Sequence, residues 1–354
     1  MSLKIISKAV FPDWVDSLCD RYRVVAPRQK QNEYIFEAVQ NSAEVCLDYT
    51  TTILPPKKVL LPQHEQLFSF KGNGNSIELA FDDQPVVLFG VHTCDMHAIA
   101  LLDQVFARNY PDQHYLNRRE NAILVSLECL QPCSEYAFCR DMGTLVPADN
   151  YDLHLTDLGD EYAVDISSER GAALLDESPE VRESTAVDYQ QVNQIMSQKW
   201  SRFPYRLEVD LTELPSLLAV SYRGSIWEEL GEKCLGCGAC NLVCPTCYCF
   251  NVKDEVDFSL TSGSRYREWD SCQLDRFTVV AGGHDFRATR GDRLRHRFFR
   301  KYKYMTNAYG GVGCVGCGRC AKSCLVDISP IDVLNTMDKR RVVITARRQE
   351  VLSS

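Results

Sequence analysis

The chain has 354 residues, 45% of them apolar and 25% charged, enough for two or three domains with full hydrophobic cores. Its net charge of −9 argues against a protein that holds nucleic acid over its whole surface, and no run approaches the roughly twenty apolar residues of a membrane span. Seventeen cysteines in a secreted chain would suggest disulfides, but their spacing is of the metal-ligand kind and residues 1–18 lack the basic start and apolar core of a signal peptide, so the expected setting is a reducing cytoplasm.

Residues 1–185 read as an α/β domain. An amphipathic helix with Trp14, Val15 and Leu18 precedes short strands at Arg23-Val24-Val25-Ala26 and Tyr34-Ile35-Phe36. A hairpin follows, Leu67-Phe68-Ser69-Phe70 and Ile77-Glu78-Leu79-Ala80-Phe81, with Gly72 and Gly74 supplying positive φ in the turn. No helix follows those glycines, so they are not a dinucleotide loop. Pro85-Val86-Val87-Leu88-Phe89-Gly90-Val91 is a continuous apolar run, typical of a parallel strand buried on both faces. Met96, Ile99, Ala100, Leu102, Val105 and Phe106 then recur at helical spacing, so Cys94 stands at a strand's carboxyl end and a helix's start, where open α/β sheets place ligands. Ala122-Ile123-Leu124-Val125-Ser126-Leu127 is a second such strand, running towards Cys129. A hairpin at 153–155 and 162–166 closes the domain.

Cys94, Cys129, Cys133 and Cys139 therefore gather at one edge of a sheet and are expected to ligate a [4Fe-4S] cluster, the third in the chain. The alternative is four buried thiols, cysteine being among the most buried residue types, but core cysteines have no reason to collect at loop ends. A helix N-terminus beside the site would favour an anionic cluster. His92, Asp95 and His97 are read as hydrogen-bonding or solvated residues, not ligands.

Residues 186–230 read as a helical linker carrying Val192, Ile195, Met196 and Trp200, broken by Pro204 and Pro215. Residues 231–335 hold a cysteine spacing written twice, Cys234-x2-Cys237-x2-Cys240-x3-Cys244-Pro245 and Cys314-x2-Cys317-x2-Cys320-x3-Cys324. Three thiolates at such intervals wrap one cubane and the fourth reaches the other. Cys234, Cys237, Cys240 and Cys324 are thus expected on one [4Fe-4S] cluster, and Cys314, Cys317, Cys320 and Cys244 on a second. Zinc, the alternative, takes cysteines in separated pairs. The expected fold is bacterial-ferredoxin-like (α+β), with about seventy residues inserted between the motifs. Within the insertion, Cys247, Cys249 and Cys272 are read first as buried thiols that tune cluster potentials, ahead of a redox-active thiol pair or further metal. The basic stretch 287–303 places Leu294, Phe298, Tyr302 and Met305 on one helical face, so its charges are expected on a solvated or partner-docking face. The basic tail 336–354 is expected in part to be flexible or to embrace a partner.

No Gly-x-Gly-x-x-Gly after a strand, Walker loop or Ser/His/Asp arrangement stands out. The chain is therefore read as moving single electrons between other subunits, with no catalytic residue of its own.

Several segments resemble one family: Ile53-Leu54-Pro55-Pro56-Lys57-Lys58, Phe89-Gly90-Val91-His92-Thr93-Cys94-Asp95, Cys244-Pro245-Thr246-Cys247-Tyr248-Cys249, Trp269-Asp270-Ser271-Cys272-Gln273 and Val280-Ala281-Gly282-Gly283-His284-Asp285-Phe286-Arg287. They are similar to the iron–sulfur β subunits of cytoplasmic NAD(P)-linked [NiFe] hydrogenases, the sulfhydrogenases, and to the related A subunit of anaerobic sulfite reductase. The resemblance implies partners: a γ-type subunit with FAD, NAD(P) and a [2Fe-2S] cluster on one side, and the small and large [NiFe] subunits on the other. The sulfite reductase reading replaces the latter with a sirohaem protein. A reading of another class is a thiol/disulfide reductase using Cys247, Cys249 and Cys272. Two positions depart from the family pattern: Ala137 stands where its members tend to have a cysteine, and Leu325 replaces the usual proline after the last ferredoxin cysteine.

Overall fold

A computed structural model describes residues 2–353 except 73–75, 177 and 179, with the side chains of Ser2 and 342–353 also outside the description. Twelve strands are described: β1 Ser2–Ser7, β2 Arg23–Lys30, β3 Glu33–Ala38, β4 His64–Lys71, β5 Ser76–Leu79, β6 Val86–His92, β7 Ala122–Leu127, β8 Leu153–Asp157, β9 Glu161–Ile166, β10 Val181–Glu183, β11 Phe250–Val256 and β12 Ser262–Trp269.

Eight of them form one mixed sheet in the order β10-β1-β9-β8-β7-β6-β2-β3. Strands β2, β6, β7 and β8 run parallel at its centre. Every residue of β6 and β7 is buried, which is why both strands are continuous apolar runs in sequence. The helix Phe11–Arg21 packs Trp14, Val15 and Leu18 into this core against Phe89 and Val125, and the Trp14 indole donates to the Leu174 carbonyl at 2.9 Å. Burying each such large side chain stabilises the fold by about 1.5–3 kcal/mol.

The expected hairpin exists as β4 and β5, with Phe68 opposite Leu79; the central turn residues, 73–75, lie outside the described residues. It does not join the main sheet. It pairs instead with the hairpin β11–β12, which lies between the two cysteine motifs, giving a second sheet in the order β11-β12-β4-β5. The first region and the cluster region thus share a sheet. Behind it, Arg118 and Arg267 both reach the buried Glu65, and Arg267 also pairs with Asp112. All seven residues of β11 are exposed, so it lacks the alternation that marks a half-buried strand.

The helix Ala186–Arg202 is more than a tether. Its Lys199 is fully buried, pairs with Glu128 and donates to the Leu145 carbonyl. Its first turn is fixed by a capping box between Thr185 and Asp188. The tail continues in a helix, Pro330–Ser353, whose Lys339 and Arg340 pair with Glu208 and Glu229; the side chains of Arg347 and Arg348 lie outside the described residues.

A second tie between the two regions is a bidentate ion pair. Arg319, inside the second cysteine motif, places its two terminal nitrogens 2.6 Å from the two oxygens of Asp95, and its Nε donates to the Thr52 carbonyl at 2.9 Å. Arg319 is 2% exposed and Asp95 1%. Asp95→Ala strands a buried guanidinium and is expected to cost about 3–5 kcal/mol. Asp95→Asn combined with Arg319→Met should cost less than Asp95→Ala, both being readable from anaerobic urea titrations.

Candidate metal centres

The two cysteine motifs fold alike. Gly236 and Gly238 in the first, and Gly316 and Gly318 in the second, all have φ between 67° and 78°, and each loop ends in a single helical turn, Ala239–Leu242 and Arg319–Lys322. These left-handed positions curl the chain so that consecutive cysteines face one centre. Gly316 has a second role. A Cβ there would lie 2.5 Å from the Phe138 carbonyl oxygen and 2.6 Å from the Cys139 nitrogen. The loop that carries Cys139 therefore lies directly on the second motif, held by Phe138 N–H to the Gly316 carbonyl at 2.7 Å and by the Thr144 hydroxyl to the Val315 carbonyl at 2.6 Å.

Cys234, Cys237, Cys240 and Cys324 line one cavity, which Cys320 lines as well. Cys324, in the far motif, accepts the Ile328 N–H at 3.3 Å. Cys244, in the near motif, lies within electrostatic reach of Cys314 and Cys317. The fourth cysteine of each motif thus faces the other motif's loop.

Cys94, Cys129, Cys133 and Cys139 also come together. Cys94 opens the helix Thr93–Ala107 after β6, and Cys129 follows β7. The Cys129 thiol accepts from Thr93 Oγ1 at 3.7 Å and hydrogen-bonds Cys133, which holds it below the usual thiol range and pushes Cys133 above it. Burial pushes Cys94 up, and Cys139 to about 12. Such thiols stay protonated until a bound metal displaces the proton. Cys133 also contacts His92 Nδ1 at 3.7 Å, and the His92 ring stacks on Tyr49 at 4.0 Å. His97 contacts the Val146 carbonyl at 2.9 Å.

The three groups adjoin one another. Cys94 is within electrostatic reach of Cys317, with Arg319 beside both, and Cys240 is within reach of Cys320. The order is therefore the sheet-edge group, then the group of Cys314 and Cys317, then the group of Cys234 and Cys237. Each group is an all-thiol donor set, and that of Cys234, Cys237, Cys240 and Cys324 surrounds a cavity, which fits a polynuclear cluster. Among the described residues, no three His, Cys, Asp or Glu side chains converge as ligands of a single metal ion.

One expectation is corrected. The charges of the basic stretch do not all lie on a solvated face: Arg293, Arg297 and Lys301, spaced four apart, are each no more than 6% exposed. They lie next to the buried Leu294, Phe298 and Tyr302 and turn inward with them. Lys301 Nζ lies 3.2 Å from Cys244 Sγ and also reaches Thr246 Oγ1. Arg297 Nε donates to Asn241 Oδ1 at 3.0 Å. Lys57, from the Pro55-Pro56-Lys57 loop of the first region, donates to the Cys244 carbonyl at 2.7 Å and to that of Cys247. None of Lys57, Arg297 and Lys301 has a carboxylate partner among the described residues. Burial, with the nearby Lys301, holds Lys57 down to about 8, while for Lys301 the neighbouring Cys244 and Cys247 outweigh burial and raise it. A buried cation without a carboxylate requires another anion nearby, and metal-bound thiolates supply one. The four-residue spacing of Arg293, Arg297 and Lys301 was the signal for their inward turn in the sequence.

These features define an iron–sulfur protein with a dicluster domain. The family model for the 4Fe-4S dicluster domain matches residues 233–328. Over 326 residues the chain is 36% identical to sulfhydrogenase 2 subunit beta of Pyrococcus furiosus, an alignment covering 92% of this chain and 95% of that one. The chain belongs to the sulfhydrogenase β-subunit family. No solved structure matches it. No helix among the described residues is long and apolar enough to cross a membrane.

Lys301 stabilises negative charge at Cys244, and a cluster held there gains negative charge on reduction. Lys301→Met should therefore lower that cluster's reduction potential by on the order of 60 mV, a tenfold change in a one-electron equilibrium. An EPR-monitored redox titration reads the shift, and an unchanged potential would remove Lys301 from any role in tuning.

Proposed function

We propose that this chain is the cytoplasmic iron–sulfur relay of a hydrogenase complex, passing electrons between a γ-type subunit that binds FAD and NAD(P) and the small and large [NiFe] subunits. The observation that carries the reading is the unbroken adjacency of three cysteine groups, from the end of β7 to the first motif, in a chain of the sulfhydrogenase β-subunit family. The ligand sets are Cys234, Cys237, Cys240 and Cys324 for one [4Fe-4S] cluster, Cys314, Cys317, Cys320 and Cys244 for the second, and Cys94, Cys129, Cys133 and Cys139 for the third. A bound cluster supplies reversible one-electron chemistry. The chain's own residues hold the thiols in place, keep water out and balance charge. Burial of the sheet-edge thiols and of Lys301 gives a low-dielectric setting in which each fixed charge acts strongly. Asp95 and Arg319, ion-paired beside Cys94 and Cys317, keep the junction of two groups rigid with no net charge added.

Purification of the complex from its native cells, with identification of its subunits, tests the assignment directly. A flavoprotein and [NiFe] subunits are expected; a sirohaem protein in their place would move the same relay to sulfite reduction. The chain by itself should take electrons from a strong reductant without oxidising NADH or NADPH, and NADH-dependent dye reduction by flavin-free chain would contradict the reading.

The ligand sets have a separate check. Cys324→Ala and Cys237→Ala are expected to abolish the same EPR signal, and Cys244→Ala and Cys317→Ala the other. Cys129→Ala should release about four irons, one cubane's content. A pairing of Cys324 with Cys317 would reject the crossed ligation, and unchanged iron in Cys129→Ala would leave the sheet-edge cysteines as thiols.

A further inference from the structure

Cys247, Cys249 and Cys272 belong to none of the three groups, yet they line a single cavity of about 350 Å³ beside Cys244. Two separate pieces of chain bring them there. Cys247 follows the first motif by three residues. Cys249 directly precedes β11, and Cys272 comes three residues after β12. The base of that hairpin is closed by Asp270 N–H to the Cys249 carbonyl at 2.9 Å, with Phe250 opposite Trp269. The inserted hairpin thus carries two of the three thiols to the cavity.

The sulfurs are close without being bonded, and all three are free thiols. The Asn241 amide spans two of them, accepting from Cys247 Sγ at 3.6 Å and donating to Cys272 Sγ at 2.9 Å. Cys249 hydrogen-bonds Cys272, and the same sulfur accepts from Gln273 Nε2 at 3.6 Å. Cys249 touches Cys272, and Asn241 ties Cys272 to Cys247, so the three thiols share one cavity. Ordinary buried thiols would be expected to pack against apolar side chains. Here the walls are Arg297, Arg300, Lys301 and His296 as well as Tyr248 and Phe277. Lys57 closes the same region through the Cys247 carbonyl. Lys301 contacts Cys244 and Arg297 acts first on Cys240 and Cys320, yet both also line this cavity within electrostatic reach of Cys247.

We propose that Cys247, Cys249 and Cys272 hold a fourth iron–sulfur cluster, of the [4Fe-4S] type, with His296 as the donor to its remaining iron. Three thiolates satisfy three corners of a cubane. His296 stands on the same cavity wall and makes no hydrogen bond among the described residues. Burial depresses it to about 4, so the ring is neutral with a lone pair to give. A dithiol centre would need only two sulfurs and would leave the third thiol and the free imidazole without a role. The site adjoins Cys244 and would therefore branch from the middle of the relay. The inference rests on the reading that the chain carries clusters.

The test uses the full chain, reconstituted anaerobically, with iron and sulfide counted per chain. Cys249→Ala and Cys272→Ala should each lose about four irons, one cubane. The EPR signals that Cys129→Ala and Cys324→Ala remove should persist in both. His296→Ala should keep most of the iron and change one signal only. Should the cysteine variants fail to fold, the unsubstituted protein with 15N-labelled histidine gives an independent answer: pulsed EPR of a reduced cluster should show coupling to a histidine nitrogen. Unchanged iron in both cysteine variants overturns the fourth cluster, including the case in which those thiols oxidise to a disulfide. Absence of histidine coupling rejects His296. If Cys129→Ala and Cys324→Ala also leave iron unchanged, the failure belongs to the wider reading.

Discussion

Buried positive charge is the constraint on which the rest of this structure depends. Lys57, Arg297 and Lys301 lie in the interior with no carboxylate among the described residues to neutralise them. An isolated cation out of water costs several kcal/mol even after relaxation. A fold that accepts three of them must hold comparable negative charge in the same volume. The surrounding cysteines, once metal-bound, are the groups that can provide it. The cations are therefore as much part of the site as the thiols, and they come from the first region and from the helical segment that precedes the second motif.

That requirement explains why the chain is not two independent units joined by a linker. The loop carrying Lys57 must reach the first motif, and Arg319 of the second motif must reach Asp95 on the helix that begins at Cys94. The β4–β5 hairpin pairs with β12, fixing the insertion relative to the first region. Gly316 lets the backbone bearing Cys139 lie against the motif at a separation that any side chain would prevent. Each of these ties sets the spacing between adjacent cysteine groups, and electron transfer depends on that spacing being short and constant.

The two kinds of buried charge do different things. The Asp95–Arg319 pair is neutral overall and rigid, so it positions two groups without favouring either redox state. The unpaired cations near Cys244 favour whichever state carries more negative charge. In the proposed relay, orientation falls to the junction with the sheet-edge group and tuning to the cations around Cys244.

Spacing alone determined much of this protein. The repeated cysteine intervals, the two continuous apolar strands and the position of Cys94 and Cys129 at their ends are local patterns, and local patterns survive in sequence because strand burial and loop curvature act over a few residues. The crossed roles proposed for Cys244 and Cys324 rest on that spacing, and the structure brings the sheet-edge cysteines near one another. The pairing of β12 with β4 was not anticipated, since its partner is some two hundred residues away in the chain and β11 is exposed along its length. Nor was the inward turn of Arg293, Arg297 and Lys301, because a basic residue in sequence normally marks solvent. Only the tertiary structure decides that these side chains face thiols, since burying a cation depends on which anion another part of the chain brings to it. The same holds for Cys247, Cys249 and Cys272, which look like scattered thiols until a hairpin and one amide draw them around a common void.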